Sequence, residues 1–281
     1  MAGNKERQRK LARERYERQQ TRRMERARRL RQRGAIGGSA AAVVAIAVGA
    51  YFLFSTGPAH KAAASTPSPA PSTTKPVSIP AASPLAQVPT GPPPTPPATH
   101  CTYTPSGHAA RPVGLPPAAP DTKASYQATL VTNRGSVVID LLNSRAPCAV
   151  NSFVYLARKG YFNSTPCPRL VSSGIYVLQC GDPTGTGSGG PGYKFADENT
   201  KGATYPAGTV AMANAGPGTN GSQFFMVYAP GVLSPTYTPF GVIVKGLDIV
   251  RKVAEAGNDN SSQAGGGKPN EQVTIERVQI S

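Results

Sequence analysis

Most side chains that carry covalent or metal chemistry are badly placed for it in this sequence. The three histidines, His60, His100 and His108, all fall in a proline-rich stretch, where no packed site would hold a catalytic dyad or a metal. The four cysteines, Cys101, Cys148, Cys167 and Cys180, form no C-x-x-C pair, so neither a zinc ribbon nor a thioredoxin motif is indicated. Asp197 and Glu198 are adjacent and would point apart in extended chain. Gly185 to Gly190 satisfies G-x-G-x-x-G, but Pro191-Gly192-Tyr193 follows where a dinucleotide site needs a helix, so a surface loop is expected. Read singly, Arg169 is a surface arginine, Asn214-Ala215-Gly216 a turn and Gln223-Phe224-Phe225 a strand of alternating burial. No metal and no cofactor is expected.

The elements that must position them occupy only part of the chain. Of 281 residues with a formal charge of +16, the first 33 hold fourteen Lys and Arg against four Glu. The basicity therefore belongs to a tail with too little apolar surface for a core. The tail suits a cytoplasmic flank and contact with anionic lipid headgroups. Aromatic interleaving is nearly absent, and no nucleic-acid partner is expected. Gly34 to Phe54 carries no charge. At 1.5 Å per residue it can cross the roughly 30 Å of membrane hydrocarbon. A cleavable signal peptide competes with an anchor here. The long charged flank and long apolar run favour an uncleaved single-pass helix, with everything after Ser55 extracytoplasmic. Residues 55–122 are rich in Pro, Ala, Ser and Thr and read as a polyproline linker, with a reach on the order of 200 Å.

From Lys123 the pattern becomes that of one folded domain, 123–281. Tyr126–Thr132 and Ser136–Leu142 alternate like strands about Asn133-Arg134-Gly135. Ala146–Lys159 has apolar residues near helical spacing, Pro147 in its first turn and Gly160 at its end. Strands are predicted near Arg169–Val171, Ile175–Cys180, Thr209–Ala213, Gln223–Val227, Phe240–Lys245 and Gln272–Ile280, with a second helix over Leu247–Ala256. Such a series suggests a β-barrel capped by helices.

Within this domain the string MANAGPGTNGSQFFM, Met212–Met226, closely resembles the central signature of the cyclophilins. Pro168-Arg169 followed by Gln179-Cys180-Gly181-Asp182, the string GYKFADEN at Gly192–Asn199, and Phe240-Gly241 with Leu247-Asp248-Ile249-Val250 resemble further family segments in order. The resemblance covers essentially all of 125–281. It implies a mainly β fold, a closed eight-stranded antiparallel barrel capped by two α-helices. It also implies peptidyl-prolyl cis-trans isomerase activity on exposed X–Pro bonds of extracytoplasmic polypeptides, assisting their folding, by a chain expected to be monomeric.

That chemistry needs no nucleophile. Amide resonance sets the barrier to rotation, and a fixed guanidinium can donate to the proline nitrogen as its lone pair localises in the twisted state. The resemblance assigns this role to Arg169, with Gln223 and Phe225 as its catalytic partners. It assigns substrate contacts to Tyr176, Met212, Ala213, Asn214, Leu233, Tyr237 and Phe240. The chain departs from the family pattern at Pro168, where His is common, and in the longer Val171–Gly174 segment, which blurs the register at Tyr176 and Val177. Val232 stands where many members have Trp and Tyr237 where they have a pocket His. The chain has no Trp, which argues against tight cyclosporin binding. A catalytically weak module that binds proline segments is the alternative function. An extracytoplasmic domain permits disulfides. Cys148–Cys167 is the pair to test first, Cys180 reads as a small buried hydrophobe, and Cys101 is left open.

Overall fold

The computed structural model describes residues 98–281. The basic tail, the apolar run at 34–54 and the linker as far as residue 97 lie outside the described residues. Among the described residues no helix is long and apolar enough to cross a membrane. The elements are β1 (Thr104–Pro105), β2 (Gln127–Thr132), β3 (Gly135–Leu141), α1 (Pro147–Arg158), β4 (Thr165–Pro166), β5 (Arg169–Ser173) and β6 (Ile175–Cys180). They continue with β7 (Tyr193–Lys194), β8 (Thr209–Met212), β9 (Phe224–Val227), β10 (Pro239–Lys245), α2 (Leu247–Glu255) and β11 (Thr274–Ile280).

Local sequence explains the best-formed pieces. β2 and β3 pair from Gln127–Asp140 to Thr132–Gly135. The Thr132 hydroxyl closes their turn, donating to the Gly135 carbonyl at 2.6 Å and accepting from the Arg134 N–H at 3.1 Å. α1 starts on Pro147, whose missing N–H is no loss in a first turn, and buries Val150, Phe153, Val154 and Leu156. Its first N–H groups, those of Cys148 and Ala149, donate to the Glu198 carboxylate at 3.1 and 2.8 Å. A helix N-terminus favours such a negative partner. Glu198 is thus a structural cap.

The large sheet runs β4-β11-β2-β3-β10-β8-β9-β6-β5, with β1 and β7 forming a separate pair. The expected closed eight-stranded barrel is instead an open nine-stranded sheet curled into a half-barrel, with both helices as expected. No ladder joins the edge strands β4 and β5 among the described residues. Only Cys167 and Pro168 separate them in the chain. Inside the curl, Phe153 meets Phe162, Phe224 and Phe240 at centroid distances of 5.1, 5.5 and 5.3 Å. Burying each ring contributes about 1.5–3 kcal/mol.

The folded unit begins well before residue 123. Composition assigns residues 98–122 to the linker, yet they form an arm fastened along the domain. Cys101 and Tyr103 are buried, and β1 pairs with β7. Tyr103 packs edge-on against Tyr193 and Phe195 and donates to the Cys148 carbonyl at 2.9 Å. Arg111 donates to the carbonyls of Tyr161 and Asn163, and Asn151 to that of Pro117.

The disulfides are Cys101–Cys148 and Cys167–Cys180, and no described cysteine is free. The expected Cys148–Cys167 pair does not form. The Arg169–Gln179 register of the β5–β6 hairpin carries Cys167 beside Cys180 instead. Cys148, in the first turn of α1, faces the arm. Cys180 is buried as expected, but as half of a bridge.

Candidate active site

Strand register assembles the site. Arg169 lies opposite Gln179, Gln179 opposite Phe225, and Phe225 opposite Ala211, one row across β5, β6, β9 and β8. Directly paired residues share a sheet face. The next row on that face is Val171, Val177 and Val227. The alternate residues, Leu170, Leu178, Met226 and Val210, face the main core. One face of this part of the sheet therefore packs the interior. The other carries a small apolar cluster of its own, in which Tyr205 joins Val171, Val177, Ala211, Phe225 and Val227.

Polar groups border this apolar patch in a chain. The Arg169 guanidinium donates from Nη1 to Gln179 Oε1 at 3.2 Å, from Nε to the Gly265 carbonyl at 2.9 Å and from Nη2 to the Ala264 carbonyl at 2.6 Å. Gln179 Nε2 donates to Gln223 Oε1 at 2.7 Å. Gln223 Nε2 donates in turn to the carbonyls of Gly187 and Gly189 at 3.2 and 2.8 Å. Burial pulls the Arg169 pKa below its usual value, against a smaller upward pull from Tyr237. A guanidinium starts so high that it keeps its charge regardless.

The glycine loop that holds Gln223 has its own post. The buried Asp182 carboxylate accepts from the Thr184 N–H and hydroxyl at 2.8 and 2.7 Å, and from the N–H groups of Ser188 and Gly189 at 3.1 and 3.0 Å. Burial alone would raise its pKa, but these bonds together outweigh burial and lower it. The G-x-G-x-x-G string is thus a loop wound on one carboxylate. Between this loop and the arm lies a cleft of about 640 Å³, bordered by His108, Gly189, Lys194, Asn214 and Gln223.

The structure brings together most of the residues singled out from sequence. Arg169, Gln223 and Phe225 converge on one region. Tyr237 sets its ring perpendicular to that of Phe225 at 5.2 Å, and Ala213 and Leu233 pack against the same cluster. Asn214 stands at the edge, its Nδ2 donating to the Thr236 carbonyl at 3.0 Å.

Three expected contacts fail on orientation. Met212 and Phe240 are buried in the main core, Phe240 against Phe153 and Phe224. Tyr176 is one residue out of phase with Val177, packs against the core side and meets Tyr228. Val177 takes the position expected of Tyr176. Sequence reading also passed over Gln179, Ala211 and Tyr205 as site residues. The first two could have been found by carrying strand alternation from Arg169 and Phe225. Tyr205 lies in a loop and gave no signal. Its hydroxyl donates to the Tyr237 carbonyl at 2.7 Å and accepts from the Tyr237 N–H at 3.0 Å, which fixes that ring's backbone.

Residues 127–280 match the family model "Cyclophilin type peptidyl-prolyl cis-trans isomerase/CLD". The "Probable peptidyl-prolyl cis-trans isomerase B" of Mycobacterium tuberculosis is 45% identical over 213 residues, covering 66% of this chain and 68% of that protein. The Arabidopsis thaliana "Peptidyl-prolyl cis-trans isomerase CYP18-2" is 35% identical over 159 residues, covering 55% of this chain and 93% of that one. A crystal structure of a Cryptosporidium parvum cyclophilin-type isomerase is 30% identical, with a TM-score of 0.48 and coverage of 56% and 98%.

Proposed function

The chain belongs to the cyclophilin-type peptidyl-prolyl cis-trans isomerases, and from that premise we propose which residues turn the imide and where they do so. The enzyme's reaction is rotation about X–Pro peptide bonds. In our reading the apolar cluster around Phe225, Val177, Leu233 and Tyr237 takes the proline ring and excludes water from one side of the bond. Gln223, with the main chain at Asn214, holds the substrate backbone.

Arg169 then donates to the imide nitrogen. That nitrogen is a poor acceptor while planar and a good one once twisted, so the bond strengthens along the reaction coordinate and lowers the barrier. The planar state is held by a barrier of about 18–20 kcal/mol. Every 1.4 kcal/mol taken from it is roughly tenfold in rate. The observation that carries this reading is the single row Arg169–Gln179–Phe225–Ala211, which sets a charged donor and an aromatic wall on one face.

Its test is NMR exchange spectroscopy on an Ala-Pro peptide with the full chain. Arg169→Ala should lose on the order of 10²–10³ in kcat/KM, with peptide affinity held within a few-fold. Unchanged turnover would remove the mechanism.

We further assign the domain to the outside of a membrane, tethered by residues 34–54, with the basic tail in the cytoplasm against anionic lipid. Its substrates are then extracytoplasmic chains that are folding. Two disulfides support this, because such bonds persist in oxidising compartments. Protease accessibility of the domain in intact and lysed cells tests it. Digestion only after lysis would sink the assignment.

A further inference from the structure

Arg169 is held by neutral acceptors only. The partners of its three bonded N–H groups are one side-chain amide and two backbone carbonyls. The ion pair Arg134–Glu271 lies elsewhere in the domain. A carboxylate would take a guanidinium in a two-point grip and neutralise it. Carbonyls orient it and leave its charge intact. Of five N–H groups on a guanidinium, two stay uncommitted among the described residues, available to a substrate.

The two carbonyls belong to a loop pinned to the strand that carries Arg169. Leu170 N–H donates to the Gly267 carbonyl at 2.7 Å, and Gly267 N–H returns to the Leu170 carbonyl at 3.0 Å. Asn258 Nδ2 reaches Ser172 Oγ at 3.1 Å. At Gly266, φ is +72° and a Cβ would lie 2.1 Å from the Leu170 carbonyl oxygen, so the loop can lie this close to β5 only without a side chain there. Backbone bonds join the loop's two legs, Asp259 N–H to the Lys268 carbonyl at 3.1 Å and Ser262 N–H to the Gly266 carbonyl at 3.0 Å, and one exposed side chain adds a further pair. Asp259 Oδ1 accepts from the Ser261 N–H on the outgoing leg at 3.0 Å and from the Lys268 N–H on the return at 2.8 Å. Gly267 passes so near that a Cβ there would sit 2.1 Å from that oxygen.

We propose that Asp259 is a positioning residue for the isomerase reaction, clamping the 258–268 loop so that the carbonyls of Ala264 and Gly265 aim the Arg169 guanidinium. This rests on the role assigned to Arg169 above. Asp259 touches neither substrate nor Arg169. It acts through the loop, and without its clamp the carbonyls of Ala264 and Gly265 lose one of the supports that hold them against the guanidinium.

The test uses the full chain, the Ala-Pro exchange measurement for turnover and NMR titration of the same peptide for affinity. Asp259→Ala should lower kcat/KM on the order of tenfold, as a displaced catalytic group does, with affinity changed less than about twofold. Asp259→Asn keeps a side-chain oxygen for both N–H groups and should restore most of the rate. In an Arg169→Ala background, Asp259→Ala should have no further effect on rate, whereas a general structural role would lower it again. Parental turnover in Asp259→Ala overturns the proposal, as does an additive loss in the double variant. If Arg169→Ala alone leaves the rate unchanged, the role of Arg169 itself falls. If Arg169→Ala abolishes activity and Asp259→Ala does not, only the clamp falls.

Discussion

Gln179 Nε2 donates to Gln223 Oε1 at 2.7 Å while Gln179 Oε1 accepts from Arg169 Nη1 at 3.2 Å. One neutral amide therefore couples the charged donor to Gln223, the residue we assign to the substrate backbone, using both of its ends. An amide offers a permanent acceptor and donor in the same plane at this spacing.

Gln179→Glu is nearly isosteric and removes the donor. It should turn a carboxylate against Gln223 Oε1 and pull the Arg169 guanidinium into an ion pair. The expected loss in kcat/KM is on the order of 10²-fold, similar to deleting a positioned donor, with little change in melting temperature. Exchange NMR and thermal unfolding of the same sample measure both.

Tyr205→Phe should act on binding more than on rotation. It deletes both hydrogen bonds that fix the Tyr237 backbone beside Phe225. At about 1 kcal/mol for each bond, peptide affinity should weaken several-fold while the rate at saturation stays within about twofold. A matching drop in saturated rate with unaltered affinity would contradict the assignment of Tyr237 to the pocket wall.

Asp182 makes stability acid-sensitive. Its folded pKa is below the unfolded value of about 3.9. The folded state binds the proton less readily than the unfolded chain, so this contribution is complete above that value and drains away as pH falls through the folded pKa. Asp182→Asn should lower the midpoint of thermal unfolding at pH 7 and flatten its decline below about pH 4. Peptide affinity should fall with it, because the carbonyls of Gly187 and Gly189 no longer hold Gln223 firmly. A steep acid limb retained in the variant would assign that sensitivity to other carboxylates.

Replacing Cys101 and Cys148 together by Ser frees a loop with a sequence separation of 47. Loop-closure entropy for that length gives a loss of about 4 kcal/mol, within the usual range of about 2–5. Denaturant unfolding should show it as a shifted midpoint. Turnover on a short Ala-Pro peptide should survive, because Arg169 and Phe225 lie on strands of the large sheet and Gln223 bonds the Gly187 and Gly189 carbonyls, none of them the arm.

The parts of this molecule with a strong local pattern were legible in its residues. The β2–β3 turn announces itself in Asn133-Arg134-Gly135, and α1 by Pro147 and Gly160. Arg169, Gln223 and Phe225 were reached through the resemblance of their surrounding strings. What was not legible depends on pairing. β1, β4 and β7 are two residues each, too short to show any period. Whether the sheet closes depends on its edges, which no local pattern reveals. Met212 and Phe240 lie beside site residues in the chain, but alternation turns them to the opposite face. The longer Val171–Gly174 segment hid that Val177, not Tyr176, shares a face with Phe225. Residues 98–122 look like spacer by composition because few of their side chains are large and buried, Tyr103 among them, and much of the anchoring is backbone pairing.

The Cys101–Cys148 bond also decides how the domain would bear a mechanical pull. Tension arriving from upstream meets a covalent cross-over at Cys101 and continues into α1. The intervening backbone, which includes β1, β2 and β3, lies off that route. A pull on the chain before Cys101 would therefore load the sulfur bridge and the helix before it peeled a single strand from the sheet.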